Sequence, residues 1–243
     1  MIGLSEDGSS EDKGFTLVEL IVTMVISLII SGALYSTYLV QHKNYLVQEQ
    51  VAEMQQNIRA ALLFLERDIR MAGYDPKDVT SNNGFEVMKR DAIAVKFDLN
   101  GDGDTNDAGE HVGYDLLFDI NLNRHMGRAV SKATLTATAN PIGSAHFELN
   151  KHRPFVENID ALEFQYLDAT GGTTLVASKV RAVRVSILAR ASRPDPKFTN
   201  AKVYVPASGV PWDLNGSAPG NAANDNFRRR LLITTIQCRN MGL

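Results

Sequence analysis

The longest apolar stretch of the chain opens at Phe15 and holds to Val40, with Glu19 as the only side chain in it that is charged at neutral pH. At 1.5 Å per residue, about 20 apolar residues cross the hydrocarbon of a bilayer, so 15–40 is expected to be a transmembrane helix. The helical period then persists in amphipathic form. Val47, Val51, Met54, Ile58, Ala61, Leu65 and the Asp68–Ile69 pair recur at steps of three and four, while Gln48, Glu49, Glu53, Gln56, Arg59, Glu66 and Arg70 fill the other face. Such a stripe predicts that 41–73 continues the helix and lays an apolar face on a following domain. Its stop is legible in Ala72-Gly73-Tyr74-Asp75-Pro76, a C-cap glycine followed by a proline. Ser31 and Gly32 lie inside the apolar run, where small side chains let helices approach closely.

Beyond Asp75 the period changes to two. Asp91–Phe97, His111–Phe118, Ala161–Leu167, Lys179–Leu188 and Arg230–Cys238 read as strands. In the fourth of these the alternation slips between Ala182 and Val183, as it does at a β-bulge. Ala191–Asn226 holds five of the eight prolines. It reads as a long excursion between the last two strands, with Tyr204 and Trp212 as its anchors, and loops of that length are often functional or mobile. The expected fold class is α+β, one long N-terminal helix packed on a mainly antiparallel β-rich head that occupies 74–243.

The junction at the start of the apolar run is the most specific feature. Lys13-Gly14-Phe15-Thr16-Leu17-Val18-Glu19-Leu20 follows an acidic segment with Glu6, Asp7, Glu11 and Asp12. A secretory signal has the opposite order, a basic start and a small-residue cleavage site after the apolar core. These residues closely resemble the class III signal of type IV prepilins. The resemblance implies that 1–14 is a leader cut between Gly14 and Phe15 by a prepilin peptidase, and that the new amino group of Phe15 is N-methylated. It also implies a type IV pilin fold, an inner-membrane protein with its head in the periplasm before assembly, and a place at a pilus tip or cell surface afterwards. Leu62–Tyr74, Glu157–Tyr166 and Arg228–Asn240 resemble PilW-type minor pilins, which are related to the J-type minor pseudopilins of type II secretion. Other minor and major pilins, the inner-membrane assembly platform and the lipid bilayer are the partners this implies.

Glu19 has a physical consequence of its own. A carboxylate inside a membrane segment costs a few kcal/mol on insertion scales and is usually functional. Pairing with the amino group of Phe15, its own or a neighbour's, would relieve part of that cost and set helix register.

Composition narrows the picture. A net charge of −3 and a pI near 6 give no general reason to expect nucleic acid as a partner. Arg228-Arg229-Arg230 could contact phosphates or an acidic partner, but three basic residues without interleaved aromatics read more simply as a solvated strand start. Cys238 is the only cysteine. It can form no intramolecular disulfide, a departure from many pilins, and it reads as a small core residue, with an intermolecular bridge as the alternative.

Asp98-Leu99-Asn100-Gly101-Asp102-Gly103-Asp104-Thr105-Asn106-Asp107-Ala108-Gly109-Glu110 is the second chemical feature. Asp98, Asn100, Asp102, Gly103 and Asp104 match the first half of an EF-hand loop, in which hard oxygen ligands at alternate positions wrap Ca²⁺. Glu110 stands one place beyond the bidentate position, and the flanks are expected strands rather than helices. The expectation is a calcium-binding hairpin with Asp98, Asn100, Asp102 and Asp104 as main ligands and Asp107 and Glu110 as weaker ones. The alternative is an acidic turn that is merely solvated. None of His42, His111, His125, His146 and His152 has zinc-site spacing to a cysteine or carboxylate. No nucleophile elbow, phosphate loop or paired-acid motif occurs, so no enzyme activity is expected. The leading role is a minor pilin of the initiating, tip-proximal complex of a type IV pilus. A J-type pseudopilin is the first alternative, and an adhesin or DNA-uptake receptor using 191–226 is the second.

Overall fold

The computed structural model of the protein describes residues 14–77, 84–118, 124–136, 147, 152–215 and 220–241. The acidic leader 1–13, His146 and Pro219 lie outside them. Contacts divide the chain into two units, Met1–Gln48 and Glu49–Leu243.

Helix α1 (Leu17–Met71) begins in the first unit and continues as the first element of the second. Thr16 caps it: the Glu19 N–H donates to Thr16 Oγ1 at 3.3 Å, which satisfies one of the donors a helix start leaves open. The helix runs through Ser31 and Gly32 without a break. None of its most apolar window is buried, as a lipid-facing segment requires and a core helix would not allow.

In the second unit the expected stripe is the buried one, with Met54, Ile58, Ala61, Leu65 and Ile69 at 5 % exposure or less. Full burial of each large side chain in it contributes about 1.5–3 kcal/mol. Two antiparallel sheets take part in this core. The first has the order β1 (Phe85–Met88), β2 (Ile93–Lys96), β3 (His111–Phe118), β4 (Arg124–Ser131), β5 (His152–Glu157); the second has β6 (Ile159–Leu167), β7 (Ala182–Arg190), β8 (Arg229–Gln237). Inward residues such as Ile93, Val112, Met126, Leu162, Val185 and Ile187 share one cluster with the α1 stripe.

The expected strands are present, but there are two sheets rather than one. The chain turns between β5 and β6 at Asn158, whose φ of 58° is left-handed and tolerable for asparagine. The slip near Ala182 is not a bulge. A 3-10 turn at Ala177–Lys179 ends there, and β7 begins only at Ala182; the irregularity in this pairing falls on β6, between Ile159 and Ala161. Strands β1, β4 and β5 were not expected, since β4 mixes Arg, His and Gly and β5 contains Pro154, a residue confined to sheet edges.

The C-terminal segment returns to the end of α1. Gly73 takes a φ of 76°, as a C-cap glycine does, and Asn240 Nδ2 donates to the Arg70 carbonyl at 3.0 Å. Met241 is buried beside Gly84, where a Cβ would stand 2.5 Å from the Met241 sulfur and 2.7 Å from the Gly73 nitrogen. Nothing larger than glycine fits there. Cys238 is a buried core residue whose thiol is pushed up to about 12 by burial.

The proline-rich excursion folds onto the second sheet. Tyr204 clusters with Ala161 and Leu188, and Trp212 packs against them, so both expected anchors act as such. Buried Glu163 adds a polar tie: it accepts from Arg90 Nε at 2.6 Å, Ser208 N–H at 3.1 Å and Ser208 Oγ at 2.8 Å.

Candidate functional site

Gly14 and Phe15 are the two residues directly ahead of the Thr16 cap, outside the helix and exposed. Apart from its chain neighbours, no described residue has an atom within 4 Å of the place a Gly14 Cβ would occupy. The bond between Gly14 and Phe15 is therefore open to another protein. Glu19 lies in the first helical turn, four residues past Phe15, so its carboxylate is on the stretch of helix nearest that bond. A negative side chain at a helix start also suits the helix dipole.

Residues 98–110 connect β2 to β3, which pair antiparallel. Asp98 is fully buried, and its two carboxylate oxygens accept from the Gly101 N–H at 2.6 Å and the Gly103 N–H at 2.9 Å. Three side chains then step along the loop, each accepting from the N–H two residues on: Asn100 from Asp102, Asp102 from Asp104, Asp104 from Asn106. These are Asx turns. Glu110, also fully buried, accepts from the Leu99 and Asp107 N–H groups, each at 2.9 Å. Asn100 Nδ2 donates to Asp102 at 3.0 Å and Asp107 at 2.7 Å and holds these two carboxylates side by side. Partial desolvation, with Asp102 next to it, raises the Asp107 carboxyl; hydrogen bonds from the Asp104 N–H and Asn100 lower that of Asp102. Among the described residues no three His, Cys, Asp or Glu side chains converge as a metal-holding group. The expected ligands thus divide: Asp98 and Glu110 serve the loop backbone, while Asn100, Asp102 and Asp107 come together at its surface.

His111, at 2 % exposure, closes the loop from beneath. Its Nε2 donates to the Thr105 carbonyl at 2.5 Å, and Nδ1 meets Glu86 Oε1 at 2.8 Å. The carbonyl and the carboxylate are both acceptors, an arrangement that favours the doubly protonated ring. Burial alone would lower its pKa, but the hydrogen bond and charge of Glu86 hold it above the usual histidine value.

Residues 10–35 match the model of the prokaryotic N-terminal methylation motif, and residues 47–205 match that of prepilin peptidase-dependent protein B. The chain belongs to the prepilin peptidase-dependent protein B family. It is a type IV pilin-like protein, and membership together with the methylation motif implies processing by prepilin peptidase, membrane anchoring and pilin partners. Pilin-like families are structural. Among solved structures, a type IV-like pilin from Thermus thermophilus is similar at a TM-score of 0.42 and 14 % identity, covering 77 % of this chain and 98 % of its own. No curated protein matches by sequence.

In this family member the triple arginine is largely spent on the fold. Arg229, at 4 % side-chain exposure, binds Asp160 at 2.5 Å and Asp225 at 2.6 Å. Arg228 binds Asp195 at 2.8 Å and lies over the Phe198 ring. Only Arg230 is exposed. Sequence reasoning missed the polar cluster of Asp68, Tyr114 and Arg128, although a carboxylate on an otherwise apolar stripe was its signal.

Proposed function

We propose that this protein is a minor pilin that takes part in the initiating, tip-proximal complex and assembly of a type IV pilus. The observation that carries the reading is Glu19, a lone carboxylate in the first turn of an apolar helix, directly behind an exposed Gly14–Phe15 bond. After cleavage the amino group of Phe15 and the Glu19 carboxylate are opposite charges in a low-dielectric setting, where an unpaired charge is costly and a paired one less so. A neighbouring subunit that supplies the partner charge draws the helix out of lipid and fixes its register.

Deleting the gene tests the reading. Few surface pili with intact type II secretion, partly restored when the retraction motor is also removed, is the expected result. Normal pili with failed secretion would move the chain to the pseudopilins; normal pili with lost adhesion would make it an adhesin. Glu19→Ala is expected to insert and be processed but to fail in assembly, scored by the share of cleaved subunit in sheared pili. Wild-type recruitment of that variant would remove Glu19 from the mechanism.

We also propose that residues 98–110 take up Ca²⁺. The side-by-side carboxylates of Asp102 and Asp107 are hard donors of the right kind, while the loop as it stands turns Asn100 Nδ2 toward them and spends Asp98 and Glu110 on its own backbone. Asn100, Asp102, Asp104 and Asp107 would hold the ion. At roughly millimolar concentrations, typical of extracellular calcium modules, Ca²⁺ should raise the melting temperature of the chain in detergent micelles, and Asp102→Ala should abolish the gain. An unchanged melting temperature would eliminate the site.

A further inference from the structure

We infer that the free edge of β8 docks a β-strand from a different pilin-like subunit, an uncharged extended segment with acidic residues at its ends. The inference rests on the minor-pilin reading and deepens it.

The edges of the two sheets are not alike. The β1 edge is four residues long and its pairing with β2 is irregular. The β5 edge contains Pro154, and Asn57 Nδ2 donates to its last carbonyl, Glu157, at 3.1 Å. The β6 edge is met by other parts of the head: the Phe164 N–H donates to the Arg90 carbonyl at 2.7 Å, and Arg124 Nη1 donates to the Asp160 carbonyl at 2.7 Å. Each carries one of the devices that keep natural sheets from pairing edge to edge.

β8 carries none. Its orientation follows from its two ends: the Ala191 N–H donates to the Arg228 carbonyl at 2.8 Å, and the Cys238 N–H donates to the Arg181 carbonyl at 2.9 Å. In an antiparallel ladder the backbone groups of successive residues point to opposite sides. The even-numbered residues therefore face β7, and Leu231, Ile233, Thr235 and Gln237 turn both N–H and C=O outward. Among the described residues the only outward group of β8 with a donor near it is the Arg229 carbonyl, with Tyr204 Oη at 3.5 Å. The stretch Leu231–Ile236 contains no charge and no proline, and Ile233 is 43 % exposed.

A row of donors and acceptors that repeats every second residue is matched by the backbone of another strand, with side-chain pockets adding specificity. Charge selects which strand. Exposed Arg230 and Arg239 flank the uncharged stretch, so acidic residues at both ends of the incoming segment are favoured. A second copy of β8 laid parallel in register would set Arg230 against Arg230, which disfavours that mode of self-pairing, and laid antiparallel it would offer Arg230 no acidic partner within Leu231–Ile236.

The test uses the full chain in detergent micelles, mixed in turn with each of the other purified subunits of the same cell that carry a prepilin motif. Residue-resolved amide hydrogen exchange and native mass are read together. With one subunit, the amides of Leu231, Ile233 and Thr235 should exchange at least about tenfold more slowly than in the chain alone, while even-numbered β8 amides stay unchanged. Thr235→Pro removes one outward donor without touching the β7 ladder, and Ile233→Lys places a charge on the edge. Both should weaken binding at least about tenfold at unchanged melting temperature, the second variant serving if the first unfolds. Slow exchange at the odd-numbered amides in the chain alone, formation of a homodimer, no binding by any subunit, or full binding by both variants would each overturn the inference. Pili lost on deletion but normal with both variants would sink the edge and leave the minor-pilin reading intact. Normal pili on deletion would sink that reading instead, whatever β8 binds.

Discussion

Replacing Asp68 by alanine is expected to destabilise the head by about 3–5 kcal/mol, the range for removing one partner of a buried ion pair. Asp68 projects from α1 at 1 % exposure into the apolar interface with the sheets. Its Oδ2 accepts from the Tyr114 hydroxyl at 2.5 Å and from Arg128 Nη2 at 2.9 Å; its Oδ1 accepts from Arg67 Nε at 2.9 Å. Arg128 also donates to the Tyr114 oxygen at 3.0 Å and lies over the Phe64 and Tyr114 rings. Burial, with Asp68 next to it, pushes the Tyr114 phenol far above its usual range, so Tyr114 stays a neutral donor. The alanine variant takes the acceptor from the Tyr114 hydroxyl and the carboxylate from the Arg128 guanidinium. For a domain near 200 residues the loss lowers the melting midpoint by roughly 10 °C. Asp68→Asn, which keeps one acceptor, should lose less. The double variant Asp68→Leu with Arg128→Met should recover part of the loss, since well-packed apolar replacements of buried pairs are often neutral. A melting curve for Asp68→Ala that overlays the wild type would mean that the cluster contributes nothing to stability.

The second large effect concerns pH. His111 has its pKa raised in the folded state, chiefly because Glu86 opposes the effect of burial, with Lys96 as the nearby charge that weakens the shift. A raised folded pKa gives stability that is fully present below the unfolded value near 6.5 and is lost as pH rises through the folded value. The chain should therefore lose stability between about pH 6.5 and the alkaline side of that window. Glu86→Gln should lower stability at pH 6 and flatten this dependence. The pair is nearly closed to solvent, at 3 % and 5 % side-chain exposure, so His111→Phe, which takes the cationic partner from the Glu86 carboxylate and leaves it the Leu135 N–H at 2.9 Å, should cost about 3 kcal/mol. Melting temperatures taken in excess EDTA from pH 5.5 to 9 decide it. An equal alkaline slope in wild type and Glu86→Gln would assign the dependence to other groups.

The sequence spoke clearly where one period ran long. The α1 stripe from Met54 to Ile69, its stop at Gly73 and the two strands flanking the acidic loop were all legible, because each uninterrupted pattern has one solution for burial. What stayed hidden depends on pairs far apart in the chain. Glu86 and His111 are 25 residues apart, and neither carries a local sign of the other. The same holds for Asp68 with Tyr114 and Arg128 and for Glu163 with Arg90 and Ser208. At the candidate site, the residue types of the loop were readable but not their division of labour. Whether Asp98 faces a cation or two backbone N–H groups is decided by Gly101 and Gly103, whose amides turn inward only once the loop is closed.

The return of the C-terminal segment to α1 sets the order of biogenesis. Asn240 supplies the donor for the Arg70 carbonyl, and Met241 fills the space above Gly84, so the end of the first helix to be synthesised is closed off by a residue 170 positions further along the chain. The central strand β7 likewise has an open flank until β8 has emerged. A head interrupted anywhere before Arg229 would present raw core to its surroundings. Synthesis through β8 and Met241 is thus a condition for a closed head: a subunit cut before them would keep its apolar N-terminal helix but lack the strand that covers β7 and the contacts that close the end of α1.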